Sequence, residues 1–263
     1  MKIVVCIKQV PEVSEVRINP VTNTLVREGV PSIINPFDTY AIEEGVRLRE
    51  KFGGTVVMLT MGPPQAETAL RQALEAGADE MILLSDRAFA GSDTLATSYA
   101  LSAAIRKIGD FDLILCGKQA MDGDTGQVGP GIAEFLDLPL VTYVKKIREI
   151  EPGKRILVEA MTDHGYDVLE CPLPAVLTVV KEINTPRLPS LRTKMKAKSG
   201  KVTVWKAEDV AAPAERIGLA GSPTAVWKIF VPKPRSGGEM LKGETPAELA
   251  EHLYDRLKER HVV

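Results

Sequence analysis

The stretch FDLILCGKQAMDGDTGQVGPGIAEFLDLP, residues 111–139, decides the architecture of this chain. Its first six residues are an apolar run that reads as a buried strand. A loop with Gly117, Gly123, Gly126 and Gly129 follows, and then an apolar-periodic segment that reads as a helix. In open α/β sheets, ligands lie at the carboxyl ends of the strands, often at the topological switch point. Small residues let backbone amides approach a phosphate there, and a helix N-terminus adds partial positive charge. The loop lacks the Gly-Lys-Ser/Thr ending of a Walker A motif, and it is not a GxGxxG after the first strand. It points to a nucleotide, with a structural turn as the other reading.

The same alternation extends on both sides. KIVVCI (residues 2–7) is a short β-branched run suited to a strand buried on both faces. The segments VRINP and TLVREG, around Thr22 and Asn23, predict an edge hairpin. Asn35, Pro36, Phe37 and Asp38 open an amphipathic helix that Gly53 and Gly54 close. TVVMLTM is a strand, residues 63–76 a helix, and GADEMILLS a turn and strand. Ser92 and Asp93 are natural N-caps for the helix that starts at Thr94. Strands separated by helices of this length predict an α/β fold with a doubly wound, mainly parallel sheet, a Rossmann-like nucleotide-binding domain with a C-terminal extension.

The last third reads differently. Residues 156–172 alternate like an antiparallel hairpin, and PAVLTVV is a further strand. Between Lys181 and Lys201 seven basic residues meet one glutamate, and Pro186 and Pro189 break helical continuity. This predicts a solvated loop or a docking surface for an acidic partner. Residues 231–237 read as a linker. Residues 246–260 predict a terminal helix with Leu249, Leu253 and Leu257 on one face, which needs a surface to lie on. The expected division is 1–187, an α/β nucleotide-binding domain; 188–231, a partner-docking loop with following strands; and 232–263, a C-terminal arm.

Composition narrows the function classes. The 263 residues carry 33 basic and 35 acidic side chains, and 44% hydrophobic content supplies a full core. A net charge of -2 and 5% aromatic residues argue against a dedicated nucleic-acid binder. No run approaches about 18 apolar residues, and the N-terminus turns polar too early for a signal peptide, so a cytoplasmic protein without membrane insertion is expected. Cys6, Cys116 and Cys171 sit singly in apolar runs, as small buried hydrophobes do. No histidine has metal-ligand spacing, and no GxSxG or HExxH occurs. Asp122 and Asp124 flank Gly123, where a metal or a turn could use them. Thr94, Thr97 and Ser98 lie within about one helical turn, either around an ordinary cap or as a second phosphate or ribityl contact. A cradle without acid–base machinery suits a protein whose cofactor carries the chemistry.

Five stretches in order, VVCIKQV, NPFD with EEGVRLRE, GPPQAETALRQALEAGADE, GKQAMDGDTGQVGP and TPRLPSLRTKMKAK, together with a sixth that lies before the fifth, VEAMTDHGYDVLECPLPAVLT, resemble the β subunit of electron transfer flavoprotein. The last departs from the family signature at Ala160, where a basic residue is usual, and at Asp167, where Glu or Gln is. The resemblance implies a heterodimer with an α subunit that carries FAD. It also implies an adenine nucleotide in this chain: AMP in ordinary members, a second FAD in electron-bifurcating ones. By resemblance the nucleotide residues are Cys6, Asn35, Pro36, Phe37, Asp38, Met61, Gly117, Lys118, Gln119, Ala120, Met121, Asp122, Gly123, Asp124, Thr125, Gly126, Gln127 and Val128. The stretch DRAFAGSDTLATSYAL is similar to the bifurcating branch, which adds Asp93, Thr94 and Thr97 on the flavin side. That branch takes electrons from NADH and delivers them to a low-potential acceptor, ferredoxin or flavodoxin, and to an acyl-CoA dehydrogenase-type flavoprotein. The docking loop implied by the family covers residues 186–198, with Leu188 and Leu191 as candidate anchors. No catalytic side chain and no metal ligand are expected.

Overall fold

The computed structural model describes residues 1–12, 32–228 and 237–263. β1 (Lys2–Cys6) leads through a short antiparallel pair, β2 (Gln9–Pro11) and β3 (Ser32–Ile34), into α1 (Pro36–Phe52). The alternation continues with β4 (Thr55–Met61), α2 (Glu67–Glu75), β5 (Glu80–Leu84), α3 (Thr94–Ile108), β6 (Leu113–Gly117) and α4 (Val128–Leu136). Four strands follow directly, β7 (Leu140–Glu151), β8 (Arg155–Thr162), β9 (Gly165–Pro172) and β10 (Ala175–Val179). The chain ends with α5 (Leu191–Ser199), β11 (Val202–Trp205) and α6 (Pro246–Glu259). The hairpin expected over VRINP and TLVREG, and the linker over 231–237 except Gly237, lie outside the described residues.

The main sheet has nine strands in the order β11-β5-β4-β1-β6-β10-β7-β8-β9. From β11 to the start of β7 neighbours run parallel, whereas β7, β8 and β9 form an antiparallel edge. This is the expected doubly wound α/β fold. The period-2 alternation of β1 divides its side chains between two core layers. Ile3 and Val5 pack with Ile42 and Leu48 of α1 and Leu70 and Leu74 of α2. Val4 and Cys6 pack on the other face with Leu101 and Ile105 of α3 and Ile132 of α4. From β1 the chain builds outward through β4 and β5, then returns to β6 on the opposite side. The switch point therefore lies between β1 and β6, where Cys6 stands beside Cys116.

Two stretches correct the sequence reading. Residues 181–201 are not a continuous loop, because α5 occupies Leu191–Ser199. Both prolines precede the helix and cannot break it, and the Ser190 hydroxyl caps it by accepting the Thr193 N–H at 3.1 Å. α5 is held against α2, where Arg71 donates to the carbonyls of Ala197 (2.8 Å) and Gly200 (3.2 Å). The strand after it, β11, pairs in parallel with β5, so Val202–Trp205 belong to the same sheet as the strands of residues 1–187. The terminal helix forms as expected. Leu249 and Leu253 stay exposed and Leu257 is half-buried, and the described hydrogen bonds and ion pairs of residues 237–263 close within that segment.

The α3–α4 contact is tight enough to test. A Cβ on Gly131 would overlap the Ser98 hydroxyl and stand 2.7 Å from its Cβ. Ser98 is buried and donates to the Thr94 carbonyl at 2.7 Å. Gly131→Ala should therefore push the two helices apart and cost about 1–3 kcal/mol, the range for overpacking a filled interior. Urea unfolding reads this directly, and an unshifted midpoint would mean the helices separate freely.

Candidate functional site

The crevice at the switch point is built around a buried carboxylate. Asp38 lies in the first turn of α1, where Pro36 occupies a position with no N–H to lose. Its Oδ2 accepts the Lys8 N–H at 2.7 Å, from the chain just past β1. Its Oδ1 accepts from the Asn35 side-chain amide at 2.9 Å, and the Gly117 amide at the end of β6 bonds it as well. A Cβ at residue 117 would overlap this carboxylate and come within 2.7 Å of the Phe37 backbone. Gly117 is thus required by close approach. Burial pushes the Asp38 carboxyl up to about 7, against the lowering effect of those hydrogen bonds and of the Lys8 charge.

Asn35 hangs the glycine loop from this base. Besides Asp38, its amide nitrogen donates to the Gln119 carbonyl at 2.8 Å, and its oxygen accepts the Met121 N–H at 3.0 Å. Further along the loop, Asp122 pairs with the Lys8 ammonium at 2.7 Å, and Gln119 bonds Asp124. Asp124 adopts a positive φ of 54° and Gly126 one of 64°. The aspartates flanking Gly123 therefore serve the turn, and the described residues hold no cluster of His, Cys, Asp and Glu arranged for a metal. Residues 121–125 and Gln127 face solvent, with Ala120 and Gly126 half-buried.

The loop delivers the chain to α4, whose N-terminus no side chain caps. Instead of capping, the Gln127 amide oxygen accepts from the Thr94 hydroxyl at 3.1 Å. Thr94 is the first residue of α3, and Asp93 caps that helix by accepting the N–H groups of Leu95 (3.0 Å) and Ala96 (3.1 Å). Two helix N-termini thus stand side by side, joined by this hydrogen bond and by one from the Ser98 hydroxyl to the Val128 carbonyl at 3.3 Å. Gly129 seats α4 closely on the sheet, since a Cβ there would meet the Thr178 methyl at 2.6 Å.

The structure brings Asn35 to Asp38, Gly117 to Val128, Asp93 and Thr94 into one connected arrangement. Cys6 lies under it, buried at the end of β1 against Cys116, whose own thiol is pushed up by the neighbouring Cys6 and by burial. Met61 ends β4, two strands from β6. One residue earlier the buried Thr60 hydroxyl lacks a partner. Thr97 sits a turn along α3, where its N–H bonds the Asp93 carbonyl. Leu188 and Leu191 lie apart from the crevice, 93% and 77% exposed. Leu188 follows Arg187, which ion pairs to Glu43 (2.8 Å) and Glu50 (2.6 Å) pin to α1.

Sequence reasoning missed Lys8 and Tyr143. Tyr143 holds a φ of 55° at an irregular stretch of β7, and its N–H donates to the Thr178 hydroxyl at 3.1 Å. Together with Phe37, Lys118 and Lys181 it lines an open cleft of about 540 Å³ beside the crevice. The Lys118 ammonium lies 5.3 Å from the Tyr143 ring centre and 5.9 Å from that of Phe37. A positive φ is the only mark of Tyr143, and no sequence pattern announces it.

The residues present suit an adenine nucleotide. Uncapped backbone amides at a helix N-terminus and glycines at the points of closest approach are what a phosphate group needs. Fold and site together define a doubly wound α/β protein of the kind that holds its ligand at the strand ends beside the switch point. The electron transfer flavoprotein domain matches residues 22–210. Over the full length of both chains the sequence is 52% identical to electron transfer flavoprotein subunit beta of Thermoanaerobacterium thermosaccharolyticum. It is 51% identical to protein FixA of Azotobacter vinelandii, covering 99% of this chain and 96% of that one. It is 50% identical, again over both full lengths, to the caffeyl-CoA reductase–Etf complex subunit CarD of Acetobacterium woodii. The chain belongs to the electron transfer flavoprotein family, among its β subunits.

Asp38 gives the site a pH signature. Its folded pKa of about 7 lies above the ordinary value of 3.8, so the folded chain keeps a proton that the unfolded chain releases. That contribution is complete below about pH 4 and is lost as the pH rises through 7. Urea unfolding at pH 5 and 8 should show wild type losing on the order of 2–3 kcal/mol more than Asp38→Asn across that interval. An equal loss in both chains would mean that Asp38 does not titrate there.

Proposed function

We propose that this chain is the small subunit of a heterodimeric electron transfer flavoprotein of the bifurcating type, with FAD in the crevice between β1 and β6. In this reading the complex with the α subunit takes electrons from NADH. One goes to ferredoxin or flavodoxin, the other through the α-subunit FAD to an acyl-CoA dehydrogenase-type flavoprotein. The observation that carries the reading is the pairing of two helix N-termini, α3 and α4, through Thr94 and Gln127. A single phosphate needs one helix end, whereas two adjacent ends suit the longer reach of a dinucleotide. A relative named as a subunit of a caffeyl-CoA reductase complex supports a CoA-linked redox partner.

The roles of the chain's own residues follow from the geometry. The first amides of α4 and the positive end of its dipole hold the pyrophosphate. Asn35 and the Lys8–Asp122 pair keep the glycine loop folded over it, and Asp93, Thr94 and Thr97 hold the flavin side. When bound, FAD supplies the exchange between two-electron and one-electron transfer, so no side chain need act as nucleophile or base. Leu188 and Leu191 present an apolar surface to the dehydrogenase, flanked by Arg192, Lys194 and Lys198. The arm from residue 232 onward docks on the α subunit and tethers its flavin domain.

Releasing and counting the nucleotides of the purified heterodimer tests the branch. Two FAD per heterodimer are expected, whereas one FAD with one AMP would replace this reading by the ordinary carrier, which moves single electrons between dehydrogenases and a quinone reductase. The docking surface is tested separately. Leu188→Ala or Leu191→Ala, whichever is the anchor, should weaken dehydrogenase binding by roughly 1–3 kcal/mol and leave flavin reduction by NADH intact. Calorimetric titration showing wild-type affinity in both single variants would remove this loop from the interface.

A further inference from the structure

The N-terminus of α3 is held from outside by a segment far away in sequence. Between β11 and residue 224 the chain runs back across α3 and α4 as a strap. Val210 and Ile217 are buried against the layer formed by those helices, and the Arg216 guanidinium stacks 4.1 Å over the Tyr99 ring of α3 and 5.4 Å from that of Phe135 in α4. The fit is close at the turn before α3, where a Cβ on Gly91 would lie 2.6 Å from Leu219.

The strap ends on Asp93. The Ser222 hydroxyl accepts the Asp93 N–H at 2.8 Å and itself donates to the Gly218 carbonyl at 2.6 Å. Thr224 gives Asp93 Oδ2 two hydrogen bonds, from its N–H at 3.0 Å and from its hydroxyl at 2.8 Å. The two carboxylate oxygens thus have separate tasks, Oδ1 capping α3 and Oδ2 gripping the strap. Because Thr94 follows and bonds Gln127, one run of contacts joins residue 224 to the start of α4. The domain match ends at residue 210, so this clasp is built by chain beyond the matched domain.

We propose that the strap sets where the α3 half of the crevice stands, with Ser222 and Thr224 as positioning residues that act through Asp93 on the grip of Thr94 and Gln127 on FAD. The inference rests on the crevice being the FAD site of this subunit. A cap free to rotate about its side-chain bonds leaves the first turn of α3 without a fixed place, and the hydroxyl of Thr94 with it. Held by three outside hydrogen bonds, that turn is set before the nucleotide arrives, and less order must be imposed on binding. The strap also leads within a few residues to the C-terminal arm, so the same clasp ties the nucleotide site to the segment proposed to engage the α subunit.

The test uses the full heterodimer, stripped of its β-site nucleotide and titrated with FAD. Thr224→Val and Ser222→Ala should each weaken FAD binding at this site by about tenfold, the scale set by one or two lost hydrogen bonds, while the α-subunit FAD stays in place. Thr224→Ser keeps the hydroxyl and should restore affinity, a rescue that a purely structural role for the methyl group would not give. Thr94→Ala separates the two layers of the reading. If Thr94→Ala loses FAD while both strap variants bind it as wild type does, the strap does not position the site, and the crevice assignment stands. If all three variants bind FAD normally, the crevice assignment fails and takes this inference with it. Should Thr224→Val fail to fold, Ser222→Ala carries the same comparison alone.

Discussion

A carboxylate shut away from water organises this molecule's ligand end. Asp38 accepts hydrogen bonds from three segments that meet only because the sheet reverses its winding between β1 and β6. Burying such a group is unfavourable unless its lone pairs are filled, and here Lys8, Asn35 and Gly117 fill them. The arrangement leaves no freedom at residue 117, where any side chain would displace the carboxylate. It also fixes Asn35, from which the glycine loop hangs, and the loop in turn decides where α4 begins. Removing the carboxylate would leave several donors in the interior without acceptors, the costlier kind of hydrogen-bond loss.

Much of this was legible in the residues because parallel strands buried on both faces appear as unbroken apolar runs. KIVVC, TVVMLTM and LILCG could be placed for that reason, and Asp93 could be named as a cap from its position before a periodic segment. The segments that escaped have mixed environments. β7 is parallel to β10 at one end and antiparallel to β8 at the other, with register shifts between, so its burial follows no single period. α5 has one buried residue, Ala197, among lysines, and a helix with so narrow a contact leaves almost no apolar stripe to read.

The site divides in the same way. Glycines announce the loop because their purpose is local: a positive φ at Gly126 and close approach at Gly117 and Gly129. The contacts that hold the loop and its neighbouring helix start are remote. Lys8 and Asp122 are 114 positions apart, and Thr224 and Asp93 are 131 apart. Nothing in the chemistry of a lysine past a strand, or a threonine in an irregular segment, distinguishes such partners from surface residues. They become visible only when the topology puts them together.

Tyr143 shows how far such placement can go against local preference. A β-strand tyrosine at a φ of 55° costs of order 1–3 kcal/mol, and its surroundings must supply that. The Thr178 hydroxyl holds its N–H, the shifted pairing with β10 absorbs the bend, and Lys118 lies beside its ring. Thr178 also faces the point where Gly129 brings α4 onto the sheet. The strained residue and the uncapped helix end therefore share a support. Lys118 belongs to both recesses, since it begins the glycine loop and lines the cleft with Phe37 and Tyr143. Its ammonium stands near both rings, so the loop that leads to α4 and the cleft at the bend of β7 are joined through one side chain.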